Sequence, residues 1–213
     1  TYDSSTNKLS GELNDVKMVD SDDDGIDDAK EYYIDMTDPN NPDSDYDLIF
    51  DGEELITGFD LFITDPLDND TDDDNIIDGE EVFLFRTNPT NIDTDGDTIS
   101  DDEEIFINLD GYITDPTSSD TDNDDVSDPD EIDLYLTDPC DWDSDDDGLA
   151  DGEEIYDHFT NPNSEDTDED GIADIDDNCP TVANADQTNT DCIPLDNNCD
   201  DVGDACDQDD HVG

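Results

Sequence analysis

A twelve-residue acidic pattern recurs eight times and dictates what this chain can fold into. Its clearest copy is Asp143-Ser144-Asp145-Asp146-Asp147-Gly148-Leu149-Ala150-Asp151-Gly152-Glu153-Glu154, with acids at positions 1, 3, 5, 9 and 12. This is the spacing at which an EF-hand loop presents oxygen ligands to calcium, with a turn residue at position 6 and a backbone carbonyl at position 7. Copies begin at Asp20, Asp43, Asp70, Asp93, Asp120, Asp143, Asp166 and Asp196, at intervals of 23, 27, 23, 27, 23, 23 and 30 residues. Such recurrence marks a tandem array whose units pack on their neighbours. Helices of about ten residues on each side of every loop would overrun a 23-residue period, so the loop itself is the structural unit.

The first six ligand sets are uniform. They are Asp20, Asp22, Asp24, Asp28 and Glu31; Asp43, Asp45, Asp47, Asp51 and Glu54; Asp70, Asp72, Asp74, Asp78 and Glu81; Asp93, Asp95, Asp97, Asp101 and Glu104; Asp120, Asp122, Asp124, Asp128 and Glu131; and Asp143, Asp145, Asp147, Asp151 and Glu154. The last two depart from them, with Asp166, Asp168, Asp170, Asp174 and Asp177, then Asp196, Asn198, Asp200, Asp204 and Asp207. Position 7 is apolar throughout: Ile26, Ile49, Ile76, Ile99, Val126, Leu149, Ile172 and Val202. Each is expected to lend a carbonyl to the metal while its side chain builds a small core. Position 6 favours a positive φ, which Gly25, Gly148 and Gly171 adopt freely and Asn75, Asp125 and Asp201 tolerate. Leu48 and Thr98 do not, so the second and fourth loops are expected to be distorted or weaker sites, with Asp60 or Asp110 supplying an extra ligand.

Composition agrees with a cation-held fold. Of 213 residues 72 are Asp or Glu and 4 are Lys or Arg, a net charge of -68. That charge excludes nucleic acid and anionic membrane surfaces as direct partners. Leu, Ile, Val and Phe make up about a fifth of the chain, a composition bordering on intrinsic disorder. Without counterions no fold is expected, because so little burial cannot offset chain entropy and carboxylate repulsion. One calcium in each of eight loops leaves most of the charge in place, so more than one ion per repeat is expected. Magnesium demands a tighter octahedron, and zinc would want ligands beyond the two histidines, His158 and His211.

The joints between loops are regular too. Thr37, Thr87, Thr137 and Thr160 follow the position-12 acid by six residues, Thr64 and Thr114 by ten, and each lies six residues before the next loop. Each begins a Thr-Asx-Pro, whose proline stops a helix and extends the preceding Asx. The Asp residues of these motifs (Asp38, Asp65, Asp115 and Asp138) are either extra ligands or Asx turns. The four-residue insertions in the long repeats carry turn signals at Thr57-Gly58 and Asp110-Gly111 and are read as small hairpins or protruding loops. Elsewhere one or two helical turns fit between position 12 and the joint. The aromatics there (Tyr32, Tyr33, Phe83, Phe85, Tyr135, Tyr156 and Phe159) are expected to pack one repeat on the next, and Trp142 is read as a packing residue.

The D-[ST]-D-x-D-x-[IVL]-x-D run resembles thrombospondin type 3 repeats from about residue 20 to 210. The resemblance is most specific from Asp166 through Asp177-Asn178-Cys179-Pro180 and Asn184-Ala185-Asp186-Gln187 to Asp204-Ala205-Cys206-Asp207. It implies a chain with little regular secondary structure wound around a line of calcium ions, often two per repeat, in an extracellular setting. It also implies a Cys179–Cys206 disulfide. Cys192 and Cys199 would then pair with each other, and Cys140, left odd, is free or bridges to another chain. The first six repeats lack the family's cysteines and look like a simpler bacterial form.

The expected fold class is therefore irregular: a linear, calcium-stabilised tandem-repeat array with short helical turns and small hairpins. Residues 1–19 form an N-terminal segment, 20–165 six cysteine-poor repeats, and 166–213 a cysteine-rich end. The expected function is structural, an extracellular or cell-surface rod, stalk or fibre segment that assembles with its own kind or attaches to a larger surface protein. The alternative is an adhesin presenting the insertions to a protein or glycan. No apolar run is long enough to span a membrane, no nucleophile is paired with a base, and an enzyme is not expected. Thr1 in place of Met suggests a processed chain or a segment of a longer one, and Asn69-Asp70-Thr71 is the one glycosylation sequon.

Overall fold

The computed structural model describes residues 2–3, 8–9, 19–58, 61–106 and 111–188. The eighth loop, the insertion acids Asp60 and Asp110, and Cys192, Cys199 and Cys206 lie outside them. Contacts divide the chain into two units, Thr1–Ile92 and Asp93–Gly213. The first holds the loops beginning at Asp20, Asp43 and Asp70; the second holds those beginning at Asp93, Asp120, Asp143 and Asp166.

The fold is irregular, as expected. Two-residue strands Tyr2–Asp3 and Lys8–Leu9 pair antiparallel, and the described residues of the two insertions form no ladder. Each loop runs into a helical turn that starts at position 9: Asp28–Lys30, Asp51–Glu54, Asp78–Glu80, Asp101–Ile105, Asp128–Asp130 and Asp151–Glu153. The seventh loop has a 3₁₀ turn, Asp174–Asp176. In the four short repeats the helical turn widens into a π turn: Glu31–Asp35, Glu81–Phe85, Glu131–Tyr135 and Glu154–His158. Each ends on a left-handed residue, Met36, Arg86, Leu136 or Phe159. A π turn adds a residue per turn, which lets the six residues from position 12 to the joint threonine double back on themselves.

The core is as small as the composition requires. Ile26, Ile49, Ile76, Val126 and Leu149 are buried, all at position 7, joined by Cys179; Ile99 and Ile172 are half-buried. The expectation that aromatics pack between repeats fails for most of them. Tyr32, Tyr33, Phe83 and Phe159 are exposed, and Trp142 is 50% exposed, whereas Tyr156, half exposed, does meet Tyr135 of the preceding repeat through a side-chain hydrogen bond.

Positions 4 and 6 are both left-handed in every described loop. Leu48 (φ 89) and Thr98 (φ 94) adopt the turn that Gly148 adopts (φ 101). Their N–H groups donate to Asp43 Oδ2 at 3.2 Å and Asp93 Oδ2 at 3.0 Å, matching Gly148 N to Asp143 Oδ2 at 2.9 Å. These two loops are strained, not distorted. The loop's bonding to its position-1 carboxylate outweighs a left-handed penalty of roughly 1–2 kcal/mol.

Candidate metal centres

Two kinds of carboxylate cluster recur. The first joins positions 1, 3 and 5 of one loop: Asp20, Asp22 and Asp24; Asp43, Asp45 and Asp47; Asp70, Asp72 and Asp74. The second joins positions 5 and 12 of one loop to position 9 of the next, all three buried: Asp24, Glu31 and Asp51; Asp47, Glu54 and Asp78. In each cluster the ligating atoms lie within 4.8 Å of one another. The second unit has the same neighbours, Asp124 with Glu131 and Asp151, and Asp97 with Glu104 and Asp128. Position 9, which the sequence pattern assigns to its own loop, lies beside position 1 of that loop, as Asp78 does beside Asp70, and at Asp51 and Asp78 also meets the loop before.

Side chains outside the acidic pattern hold these carboxylates in place. At position 2, Ser44 donates from N to Asp51 Oδ1 (2.7 Å) and from Oγ to Asp51 Oδ2 (2.7 Å). Ser21, Thr71, Thr94, Thr121, Ser144 and Thr167 do the same for the position-9 Asp of their own loops. The same hydroxyl accepts the N–H of the joint Asx, as in Asp38 N to Ser44 Oγ (2.9 Å) and Asp138 N to Ser144 Oγ (3.0 Å). That bond fixes the six-residue joint. The Asp38, Asp65, Asp115 and Asp138 side chains are exposed and accept from the N–H two residues on, which is the Asx-turn geometry.

The joint threonine fixes position 12. Thr64 Oγ1 donates to Glu54 Oε1 at 3.0 Å, Thr87 to Glu81 at 3.1 Å, Thr114 to Glu104 at 2.9 Å, Thr137 to Glu131 at 3.1 Å and Thr160 to Glu154 at 2.9 Å. Thr37 reaches Glu31 at 3.5 Å. In all six glutamates Oε2 is buried and has no hydrogen-bond partner, as do Asp24 Oδ2 and Asp47 Oδ2. A buried carboxylate oxygen without a partner is costly, and rows of them facing one another are the donor set of a hard cation.

Charge perturbation tells the same story. Burial, then Asp47 and Asp45 nearby, pushes Glu54 up to about 9; burial, then Asp72 and Asp74, does the same to Glu81. Burial leads in raising Glu104, Glu131 and Glu154 to about 8 and Glu31 to about 7. Asp47 and Asp122 rise to about 7 for the same reason. Carboxylates this crowded stay ionised only beside positive charge, which a divalent cation supplies.

The seventh loop keeps the scheme with different residues. Gln187 Nε2 donates to Asp177 Oδ1 (2.7 Å), the service threonine performs elsewhere, and Asp177 Oδ2 is left buried without a partner. Asn184 N donates to Asp170 Oδ2 (2.6 Å), where Ile175 N donates to Asp147 Oδ2 (3.3 Å) in the sixth loop and Gly152 N to Asp124 Oδ2 (3.1 Å) in the fifth.

This is the stretch in which the chain meets a known family. Residues 164–187 match the thrombospondin type 3 repeat. That repeat is a calcium-binding structural repeat, which agrees with the donor sets just described. Two solved structures are similar over short stretches. The BSP domain of a biofilm associated protein is 40% identical over 20% of this chain and 7% of that one, with a TM-score of 0.20. The B domain of a biofilm associated protein is 38% identical over 21% of this chain and 11% of that one, with a TM-score of 0.21. No curated protein matches the chain.

Among the described cysteines Cys140 is exposed and free and Cys179 is buried. The expected pairings of Cys179 with Cys206 and Cys192 with Cys199 involve residues outside the described ones. No helix among the described residues is long and apolar enough to cross a membrane.

Proposed function

We propose that the chain is a calcium-rigidified structural segment of an extracellular or cell-surface protein, in which bound ions do the work of a hydrophobic core. The observation that carries this reading is the recurring pair of carboxylate clusters among the described residues, one inside a loop and one joining a loop to the next of its unit, with buried oxygens that lack partners. Asp at positions 1, 3 and 5 with the position-7 carbonyl would hold the first ion. Asp at position 5, Glu at position 12 and Asp at position 9 of the following loop would hold a second wherever both loops belong to one unit, so that those joints are closed by metal. Calcium fits better than magnesium because the donors are many, all oxygen and carried on bending loops. The acids of the eighth loop, Asp196, Asp200, Asp204 and Asp207, extend the same reading, as does a disulfide between Cys179 and Cys206. A structural, non-catalytic role follows, since the paired carboxylates are committed to metal.

Equilibrium dialysis against calcium, followed by metal analysis, tests the proposal. More than one ion per loop is expected, and fewer than about six ions per chain would overturn it. Scattering measurements should show the chain expanding when EDTA removes the metal, since each ion stabilises only the folded state.

A further inference from the structure

The second loop carries a feature that calcium binding does not require. Positions 4 and 6 are left-handed in all seven described loops, and in the other six they hold Asp, Gly, Asn, Glu or Thr. In the second loop they hold Tyr46 (φ 70) and Leu48 (φ 89), which are 74% and 62% exposed. Phe50, two residues on, is 50% exposed. Only backbone N–H groups of Tyr46 and Leu48 serve the loop, by donating to the Asp43 carboxylate at 2.7 and 3.2 Å. Bulky side chains thus sit where backbone strain and solvent exposure both count against them, and strain at such outliers points to function.

We propose that Tyr46, Leu48 and Phe50 form a docking site for a cationic amphipathic polypeptide segment, one in which Lys or Arg alternate with apolar side chains. Charge complementarity selects that occupant. The three side chains stand exposed on a chain of net charge -68, which calcium in the loops neutralises only in part, so a second copy of this chain or an acidic partner would meet repulsion. An apolar segment flanked by basic groups gains burial against the aromatics and attraction from the surrounding acids. This proposal stands beyond the calcium reading, and the two fail separately.

The test uses the full chain in saturating calcium at physiological ionic strength. The probe is a fluorescein-labelled Leu/Lys amphipathic peptide of about 18 residues, five helical turns, with an oligolysine of equal charge as the control. The variant combines Tyr46→Asp, Leu48→Gly and Phe50→Ser, residues that other loops carry at these positions, so folding and calcium stoichiometry are retained and are measured on the same samples. Loss of these anchors should weaken amphipathic-peptide binding about tenfold or more, as truncating central aromatic anchors does elsewhere, with oligolysine binding unchanged. Equal peptide affinity in variant and parent would overturn the proposal, as would parent binding of oligolysine as tight as that of the amphipathic peptide. Self-association of the parent that the variant lacks would also overturn it, since a second copy would then be the occupant.

Discussion

At the scale of single residues, the clusters depend on groups that are not ligands. Thr137 is 2% exposed, and its hydroxyl holds Glu131 Oε1 so that Oε2 faces the cluster. That bond also lowers the Glu131 pKa against the upward push of burial. Thr137→Val keeps the shape and removes the donor, which costs about 1.5–3 kcal/mol for a hydrogen bond to a charged group. Calcium affinity of the site that holds Glu131 should fall, and the fall should shrink as pH rises, because Glu131 then needs a higher pH to ionise. A calorimetric calcium titration repeated at several pH values checks both effects.

At the scale of the repeat, adjacent loops meet through backbone. A Cβ on Gly152 would lie 2.1 Å from the Asp124 carbonyl oxygen, and Gly52 and Gly79 approach Asp24 and Asp47 equally closely. Gly152→Ala should therefore push the sixth loop off the fifth, lengthen the Gly152 N to Asp124 Oδ2 bond and destabilise by about 1–3 kcal/mol, the usual penalty for overpacking. Gly171, left-handed with nothing near its Cβ position, should accept Asn with little loss, as position 6 of the third loop already does at Asn75 (φ 79). Melting midpoints of the two variants in excess calcium distinguish a contact glycine from a turn glycine. This difference marks how far the sequence could be read. Spacing of acids revealed the loops, and the apolar position 7 revealed the core, because both are set by local geometry repeated in register. The role of Asp51 was hidden, since its partners Asp24 and Glu31 belong to the preceding repeat, and only the packed joint brings them together. Thr64 and Thr114, ten residues from their glutamates, showed a regular spacing whose purpose emerges only when the chain folds back to Glu54 and Glu104.

At the scale of the whole chain, protons and calcium compete for the same carboxylates, and this sets the pH dependence of stability. Glu54 and Glu81 titrate near 9 and Glu104, Glu131 and Glu154 near 8 in the metal-free fold, against about 4.5 for a glutamate in the unfolded chain. Between those values the folded state holds more protons than the unfolded one, so stability falls as pH rises through the window. In EDTA the chain should be most compact near pH 4.5 and should expand progressively toward pH 9. Saturating calcium inverts this: a bound ion drives the folded-state pKa of each glutamate below its unfolded value, so both states are ionised above about pH 5 and stability becomes level there. It is lost only as acid re-protonates the ligands below that point. Unfolding midpoints from Trp142 fluorescence, taken across pH 4 to 9 with and without calcium, should give a descending curve in EDTA and a plateau in calcium. Two parallel curves would mean that the buried glutamates do not bind the ion, and that the metal is confined to positions 1, 3 and 5.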